Sequence, residues 1–431
     1  MPYTAYDNRS LGFTTRQLHA GYNPAENHYA KNVPIYQTAA FEFGDFDRCL
    51  RVCSHEEPGA VSYSRCANPT NQVLEERMAS LDGGVAGLSF SSGMAAITGA
   101  ILNLAQEGDQ IVAAPTMYGE SVTLLTKVLP DLGITGRIVG NPDNLDEFEA
   151  LITPRTKAVY IESLGNPCIN IIDFEGLASL AHAHGIPLVV DNTFATPYLF
   201  RPFEHGADID VYSATKYLGG HGTTVAGVVV ERGGFDWANG RFPQMEAFLR
   251  ESGRADDPHP FTSRLYNRSL SYFGAHLAAQ SAFQILQGIE TLSLRMERHA
   301  SNAQCVAEFL SAHPAVSHVD YPGLPDNPYH ELAQRYFPRG LTGMMAFRVR
   351  GGREAAIRFL DAVEVFDQMV NVGDAKSYVV YPAVATHFGL SEQEQAKAGI
   401  YPDTIRVSVG IEDVEDLLAD LDQALGKAAR A

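Results

Sequence analysis

From about residue 71 the chain alternates short apolar runs with helix-like stretches, and this alternation constrains the fold more than any other feature. AGLSF precedes GMAAITGAILNLA, QIVAA precedes ESVTLLTKVLP, RIV precedes NLDEFEALI, and KAVYIE precedes DFEGLASLAHAHG. PLVVD, DIDVYSA and VAGVVVE complete the series. Short apolar runs bounded by helical patterns predict an α/β domain with a mostly parallel sheet covered on both faces.

The flanking regions read differently. Residues 1–70 are rich in turns and aromatics (NVPIYQTAAFEF, EEPGAVSYSRCANPT) and show no sustained periodicity, so they predict an arm that contacts a neighbouring subunit. NQVLEERMASLDGG reads as a helix closed by glycine. ERGGFDWANGRFPQM is glycine-rich and predicts a surface excursion, and a long helical region follows over about 270–312. VSHVDYP, MMAFRV, SYVVYP and IRVSVG then read as strands of a second, smaller α/β domain. The expected organisation is an arm (1–70), a large domain (71–270) and a small C-terminal domain (271–431).

Charge and cysteine content narrow the function classes. Lys and Arg number 32 against 51 Asp and Glu, a net charge of −19, which argues against a nucleic-acid surface. No apolar run approaches the roughly 20 residues of a membrane span, and the N-terminus has no apolar signal core. Cys49, Cys53, Cys66, Cys168 and Cys305 are an odd, scattered set. The C-x₃-C pair has no second half to complete a zinc site, so no metal is expected. Free thiols in a reducing, cytoplasmic compartment are the expectation.

The stretch YSATKYLGGHGT places Lys216 between Ser213-Thr215 and a glycine-rich loop. Phosphate-loop readings fail on order: a P-loop lysine follows its glycines, and the third glycine of G-x-G-x-x-G is missing here. The remaining reading is a lysine that forms an imine with a carbonyl cofactor such as pyridoxal 5'-phosphate (PLP). That cofactor also requires an acid facing the pyridine nitrogen and a phosphate cup. Asp191 ends the run PLVVD, where an α/β sheet places ligands, although a capping carboxylate would look the same. SSGMAA (91–96) joins a strand to a helix start, an anion site by helix dipole or simply a cap. Tyr118 follows the next strand, placed to lie against a ring or to be packed half-buried.

Taken in order, these features resemble the PLP-dependent enzymes of the Cys/Met metabolism family, and within it the O-acetylhomoserine sulfhydrylase branch. The likeness runs from about residue 14 to 428. It includes PIYQTAAF, YSRCANPTNQVLEERMASLDGG, SSGMAA, NPCINIIDFEGLASLAHAHGIPLVVDNTFATPYLF, SATKYLGGHGT, QGIETLSLRMERH, NVGDAKS and IRVSVGIEDVEDLLADLDQAL.

The resemblance implies an aspartate-aminotransferase-like fold (fold type I) and γ-replacement on O-acetyl-L-homoserine. Acetate would leave, and sulfide or a small thiol would add to give homocysteine or methionine. It implies that Lys216 holds PLP covalently and shuttles protons, that Asp191 pairs with the pyridine nitrogen, and that Tyr118 stacks on the ring. Ser92, Gly93, Met94, Ser213 and Thr215 would hold the phosphate, completed by Tyr63 and Arg65 of a neighbouring subunit. Arg406 would clamp the substrate carboxylate, assisted by Ser377 and Asn166. The assembly it implies is a homotetramer, a dimer of catalytic dimers.

Some positions depart from that branch: Glu120, Tyr212, Val384-Ala385 and Phe388-Gly389. A hydroxyl-to-apolar change beside a pocket favours apolar ligands, so these positions leave the acceptor open, including a non-sulfur nucleophile. A γ-lyase, a cystathionine γ-synthase-type enzyme and a PLP-fold protein without turnover are the other readings. Intact Lys216, Asp191 and Arg406 argue against the last. Acetyl, succinyl and phosphoryl esters share the chemistry, so the leaving group is open as well.

Overall fold

The structure, a computed structural model, describes residues 10–54, 56–57, 59–253, 256–389 and 391–429. Residues 1–9 of the expected arm lie outside that set. Packing divides the chain into two compact units. The first comprises residues up to Leu104, Asp208–Thr215 and Thr223–Glu290; the second comprises Ala105–Ala207, Lys216–Gly222 and Thr291 onward.

In the first unit, strand β1 (Ala86–Phe90) is followed by the helix Gly93–Leu104. The helix Pro69–Asp82 precedes it. Asn68 caps that helix by accepting the Thr70 N–H at 3.0 Å, Pro69 supplies the preset φ of a first helical residue, and Gly83 ends it at φ +86°. Its buried face holds Val73, Leu74, Met78 and Leu81. Arg77 is buried with them and donates Nε to Ala20 O at 2.9 Å.

The segment 231–245 is not the surface excursion its glycines suggest. Trp237 stacks on Phe261 with ring centroids 5.6 Å apart, and Phe242 meets Trp237 edge-on at 5.2 Å. Both Trp237 and Phe242 are buried. The glycines punctuate the turns, while the aromatics anchor the segment because their burial outweighs its irregular backbone.

In the second unit, β2 (Gln110–Ala113), β3 (Thr135–Ile138), β4 (Thr156–Glu162) and β5 (Leu188–Asp191) run in parallel in the order β5-β4-β2-β3. Every residue of β4 and β5 is buried, which explains why these strands read as continuous apolar runs. The one cation in β4, Lys157, lies 3.7 Å from Asp109. In the first unit, β6 (Ile209–Tyr212) and β7 (Gly227–Glu231) complete an antiparallel set in the order β1-β7-β6.

The second unit also holds a five-stranded sheet made of β8 (Val316–Asp320), β9 (Met344–Val349), β10 (Asp367–Gln368), β11 (Tyr378–Val380) and β12 (Thr404–Ser408). Its order is β10-β11-β12-β9-β8, and all pairs but β10–β11 are antiparallel. The long helical region divides into Ala279–Ile289 and Leu292–Ala312, because Thr291 leaves helical geometry at φ −113°, ψ 12°. Among the described residues no helix is long and apolar enough to cross a membrane.

Candidate active site

The carboxyl ends of parallel strands all point one way, so residues that follow them share one edge. Three of the candidates sit there. Tyr118 follows β2, Asn166 follows β4, and Asp191 is the last residue of β5. Asp191 is buried. Its Oδ1 accepts from the Thr193 N–H at 3.0 Å and the Thr193 hydroxyl at 2.5 Å, and its Oδ2 accepts from the Tyr160 hydroxyl at 3.3 Å. Burial raises its pKa, and the three donors oppose that rise. Tyr118 stays 39% exposed, as a ring offered to a ligand would be.

Arg406 lies in the middle of β12. Side chains alternate along a strand, so Ile405 and Val407 share one face and Arg406 and Ser408 the other. The guanidinium is 3% exposed and makes only long hydrogen bonds, 3.4 Å to Asn166 Oδ1 and 3.3 Å to Val370 O. Burial lowers its pKa to about 10. Among the described residues no carboxylate lies within ion-pair distance of it. A buried cation without a counter-ion is costly, and a ligand carboxylate would remove that cost.

Ser408 accepts the Gly373 N–H at 3.0 Å and so fixes the Asn371–Gly373 loop on the same face. From that loop Asn371 Oδ1 accepts from Lys216 Nζ at 2.7 Å. Burial, and then the Arg406 charge, push the Lys216 amine down to about 8. At neutral pH a useful fraction of it is unprotonated, as attack on an aldehyde requires.

Ser377 belongs to a different network. Its hydroxyl donates to Glu412 Oε2 at 3.0 Å and accepts from the Gly410 N–H at 2.8 Å. The structure therefore brings Lys216, Tyr118, Asn166 and Arg406 into one neighbourhood, while the Ser377 hydroxyl is engaged by Glu412 and Gly410.

The phosphate-cup candidates fall in the first unit. Phe90 pairs with Gly227 and Tyr212 with Val228, so the ends of β1 and β6 arrive on either side of the start of β7. Ser92–Gly93 and Ser213 therefore meet. A Cβ on Gly93 would stand 2.7 Å from the Ser213 Cβ, and one on Gly227 would stand 2.1 Å from Ser92 O. Only glycines allow this approach, and it leaves the N-terminus of a 12-residue helix beside two serines.

Ser92 Oγ accepts the Ala95 N–H at 3.0 Å, which makes it a cap as well. Met94 occupies the first turn. Thr215 is tied to Ala226, its hydroxyl donating at 3.2 Å and accepting at 3.0 Å. These residues fit a phosphate, the Lys216 amine suits an aldehyde, and the buried Asp191 carboxylate suits a pyridine nitrogen.

Tyr63 and Arg65 form another group in that unit. The Arg65 guanidinium lies 5.5 Å from the Tyr63 ring centroid and donates to Ser271 O at 2.8 Å. Both line a cavity of about 380 Å³ with Tyr36, Asn68 and His276. Of the departures noted in the sequence, Tyr212 is structural, with its buried hydroxyl donating to Asp82 at 2.7 Å. Glu120 is exposed. Val384 is 53% and Phe388 80% exposed, flanking Thr386, whose carbonyl would sit 2.2 Å from a Cβ at Gly119.

Two residues of this neighbourhood went unnoticed in the sequence, Asn371 in the loop after β10 and Glu162 at the end of β4. Asn371 gave no signal of its own, since an amide in a loop is unremarkable. Glu162 did give one: it ends an apolar run, KAVYIE, just as Asp191 ends PLVVD.

The profile of the family described as Cys/Met metabolism PLP-dependent enzyme matches residues 14–426. The homocysteine synthase of Schizosaccharomyces pombe is 43% identical, covering 96% of this chain and 98% of its own. The O-acetyl-L-homoserine sulfhydrylase of Leptospira meyeri is 40% identical, covering 95% and 96%. Among solved structures, a putative O-acetylhomoserine (thiol)-lyase from Campylobacter jejuni superposes with a TM-score of 0.93 at 39% identity. It covers 96% of this chain and 100% of its own, and it carries a pyridoxyl-lysine monophosphate.

Proposed function

The chain belongs to the Cys/Met metabolism family of PLP-dependent enzymes, of the aspartate-aminotransferase-like α/β fold, and from that premise we propose that it catalyses γ-replacement on O-acetyl-L-homoserine. The Cγ–oxygen bond breaks, acetate leaves with the bonding pair, and the sulfur of sulfide or a small thiol forms the new Cγ–S bond. The products are homocysteine or methionine.

The observation that carries this reading is the buried Arg406 guanidinium, which has no carboxylate partner among the described residues and lies beside a lysine amine whose pKa is lowered to about 8. It is a preformed receptor for an amino-acid carboxylate next to a nucleophilic amine. PLP, when bound, supplies the electron sink that makes the Cα and Cβ protons removable. Lys216 would hold it, and the Lys216 Nζ, with its pKa lowered to about 8, is the base that would take the Cα proton.

Asp191 would face the ring nitrogen and Tyr118 would cover the ring. Ser92, Gly93, Met94, Ser213 and Thr215 receive the phosphate. Arg406 binds the substrate carboxylate, assisted by Asn166, which accepts from its guanidinium, and by Ser377. Residues 1–70 are an arm to the neighbouring subunit, whose phosphate site Tyr63 and Arg65 complete. Residues 71–270 and 271–431 are the large and small domains of a cytoplasmic homotetramer.

The test is to supply O-acetylhomoserine with sulfide, methanethiol or a carbon nucleophile, and to measure acetate and the amino-acid product. Acetate with homocysteine or methionine is the expected result. Acetate with only 2-oxobutanoate would make the enzyme a γ-lyase. Lys216→Ala is expected to abolish turnover and the visible band of the bound cofactor.

A further inference from the structure

Two buried carboxyl groups stand side by side at the edge of the parallel strands. Glu162 and Asp191 are register partners on β4 and β5, and partners in a parallel pair project to the same face. They are not equivalent. Asp191 accepts from three donors, the Thr193 N–H, the Thr193 hydroxyl and the Tyr160 hydroxyl. Glu162 Oε1 accepts from the Tyr118 N–H at 2.6 Å. Donors favour the ionised form, so of two neighbouring buried carboxyls the less supported one takes the proton. Burial first, and then the Asp191 charge, raise Glu162 well above the usual carboxylate range, while Tyr118 N–H and Arg406 act against that. The titratable groups around it are Asp191 from β5, Tyr160 from its own strand, Tyr118 from the loop after β2, and Arg406 from β12.

The bond to Tyr118 sits at a mechanical junction. Tyr118 is the N-cap of the short helix Gly119–Thr123, and its own side chain caps nothing. On the other side, the Thr386 carbonyl closes over Gly119. The Tyr118 ring is half-exposed, so the side chain is not locked by core packing, and its direction depends on the backbone that Glu162 grips.

We propose that Glu162 is a positioning residue for the reaction proposed above: its Oε1 fixes the Tyr118 backbone, and it carries the proton of the pair so that Asp191 stays anionic. The role rests on that functional reading, and it concerns presentation of the cofactor-facing groups, not contact with substrate.

The experiment compares Glu162→Leu with Glu162→Gln in the holoenzyme. Leucine removes the acceptor. Glutamine keeps a carbonyl oxygen in its place and mimics an uncharged carboxyl group. Glu162→Leu is expected to lose roughly ten- to a hundredfold in kcat, the scale of a lost buried hydrogen bond, with a smaller change in KM, and to alter the visible circular dichroism of bound PLP. Glu162→Gln is expected to restore most of the rate and the wild-type spectrum. A glutamine variant as damaged as the leucine variant would mean that negative charge is what matters, and the proposal falls. A leucine variant with wild-type rate and spectrum overturns it as well. If the leucine variant fails to fold, the glutamine variant decides alone, since loss of rate and spectrum there is incompatible with an uncharged acceptor. Wild-type enzyme that releases no acetate would sink the γ-replacement reading, while the circular dichroism comparison would still decide the role of Glu162.

Discussion

The Lys216 amine donates to Asn371 Oδ1 at 2.7 Å, and this neutral acceptor is what the amine has in place of a carboxylate. An amide satisfies the ammonium without adding charge, so burial and Arg406 still hold the pKa near 8. Asn371→Asp is expected to raise it toward the usual lysine range. The rate at which apoenzyme captures PLP should rise with pH through a midpoint near 8 in the wild type and a higher one in the variant. An unmoved midpoint would separate Asn371 from the amine.

The same depressed pKa has a stability consequence for the apoenzyme. Between about 8 and 10.5 the unfolded chain binds more proton at Lys216 than the folded chain does. The lysine's contribution to stability is therefore most favourable above 10.5, falls as pH drops through that window, and is fully unfavourable below 8. Lys216→Met apoenzyme is expected to melt above wild type at pH 7 and to lose that advantage by the top of the window, as followed by calorimetry.

Arg406→Lys keeps a charge but loses the planar fork that matches a carboxylate. The KM for O-acetylhomoserine should rise strongly, by about tenfold or more, while PLP remains bound as judged by its visible band. An unchanged KM would place the substrate carboxylate elsewhere.

Gly93→Ala introduces a Cβ 2.7 Å from that of Ser213. The two segments must separate, and the phosphate cup opens with them. PLP affinity, measured by titrating apoenzyme, is expected to fall, and thermal stability to fall as well, because the added Cβ also meets the Ser213 backbone. Full affinity in this variant would argue that the phosphate does not sit against Gly93.

Arg65→Ala and Lys216→Ala subunits, mixed under conditions of proven subunit exchange, should recover activity that neither homomer has. A hybrid pair would carry one intact site if Arg65 serves its neighbour. Failure of every mixture would return Arg65 to its own chain.

The alternation of strands and helices was legible because the central parallel strands β4 and β5 are buried along their whole length and must be nearly all apolar, whereas the edge strand β3 is not. Asp191 was legible for the same reason: a carboxylate at the end of PLVVD interrupts a rule. Lys216 stood out by its place between hydroxyls and glycines. Glu162 obeyed the Asp191 pattern, yet its importance depends on a register that pairs it with Asp191 and a loop that brings the Tyr118 N–H to it. Asn371 lies 155 residues beyond Lys216 in the chain, with Arg406 further on still in β12, and no local pattern encodes that approach. The segment around Trp237 shows the converse case, where turn residues dominate the local pattern and only the packing of Trp237 on Phe261 reveals a core. Local composition determines which stretches become strands and which residues are out of place in them, because burial acts residue by residue. Which out-of-place residues meet was decided by strand order and register, since those place side chains from distant parts of the chain on one edge.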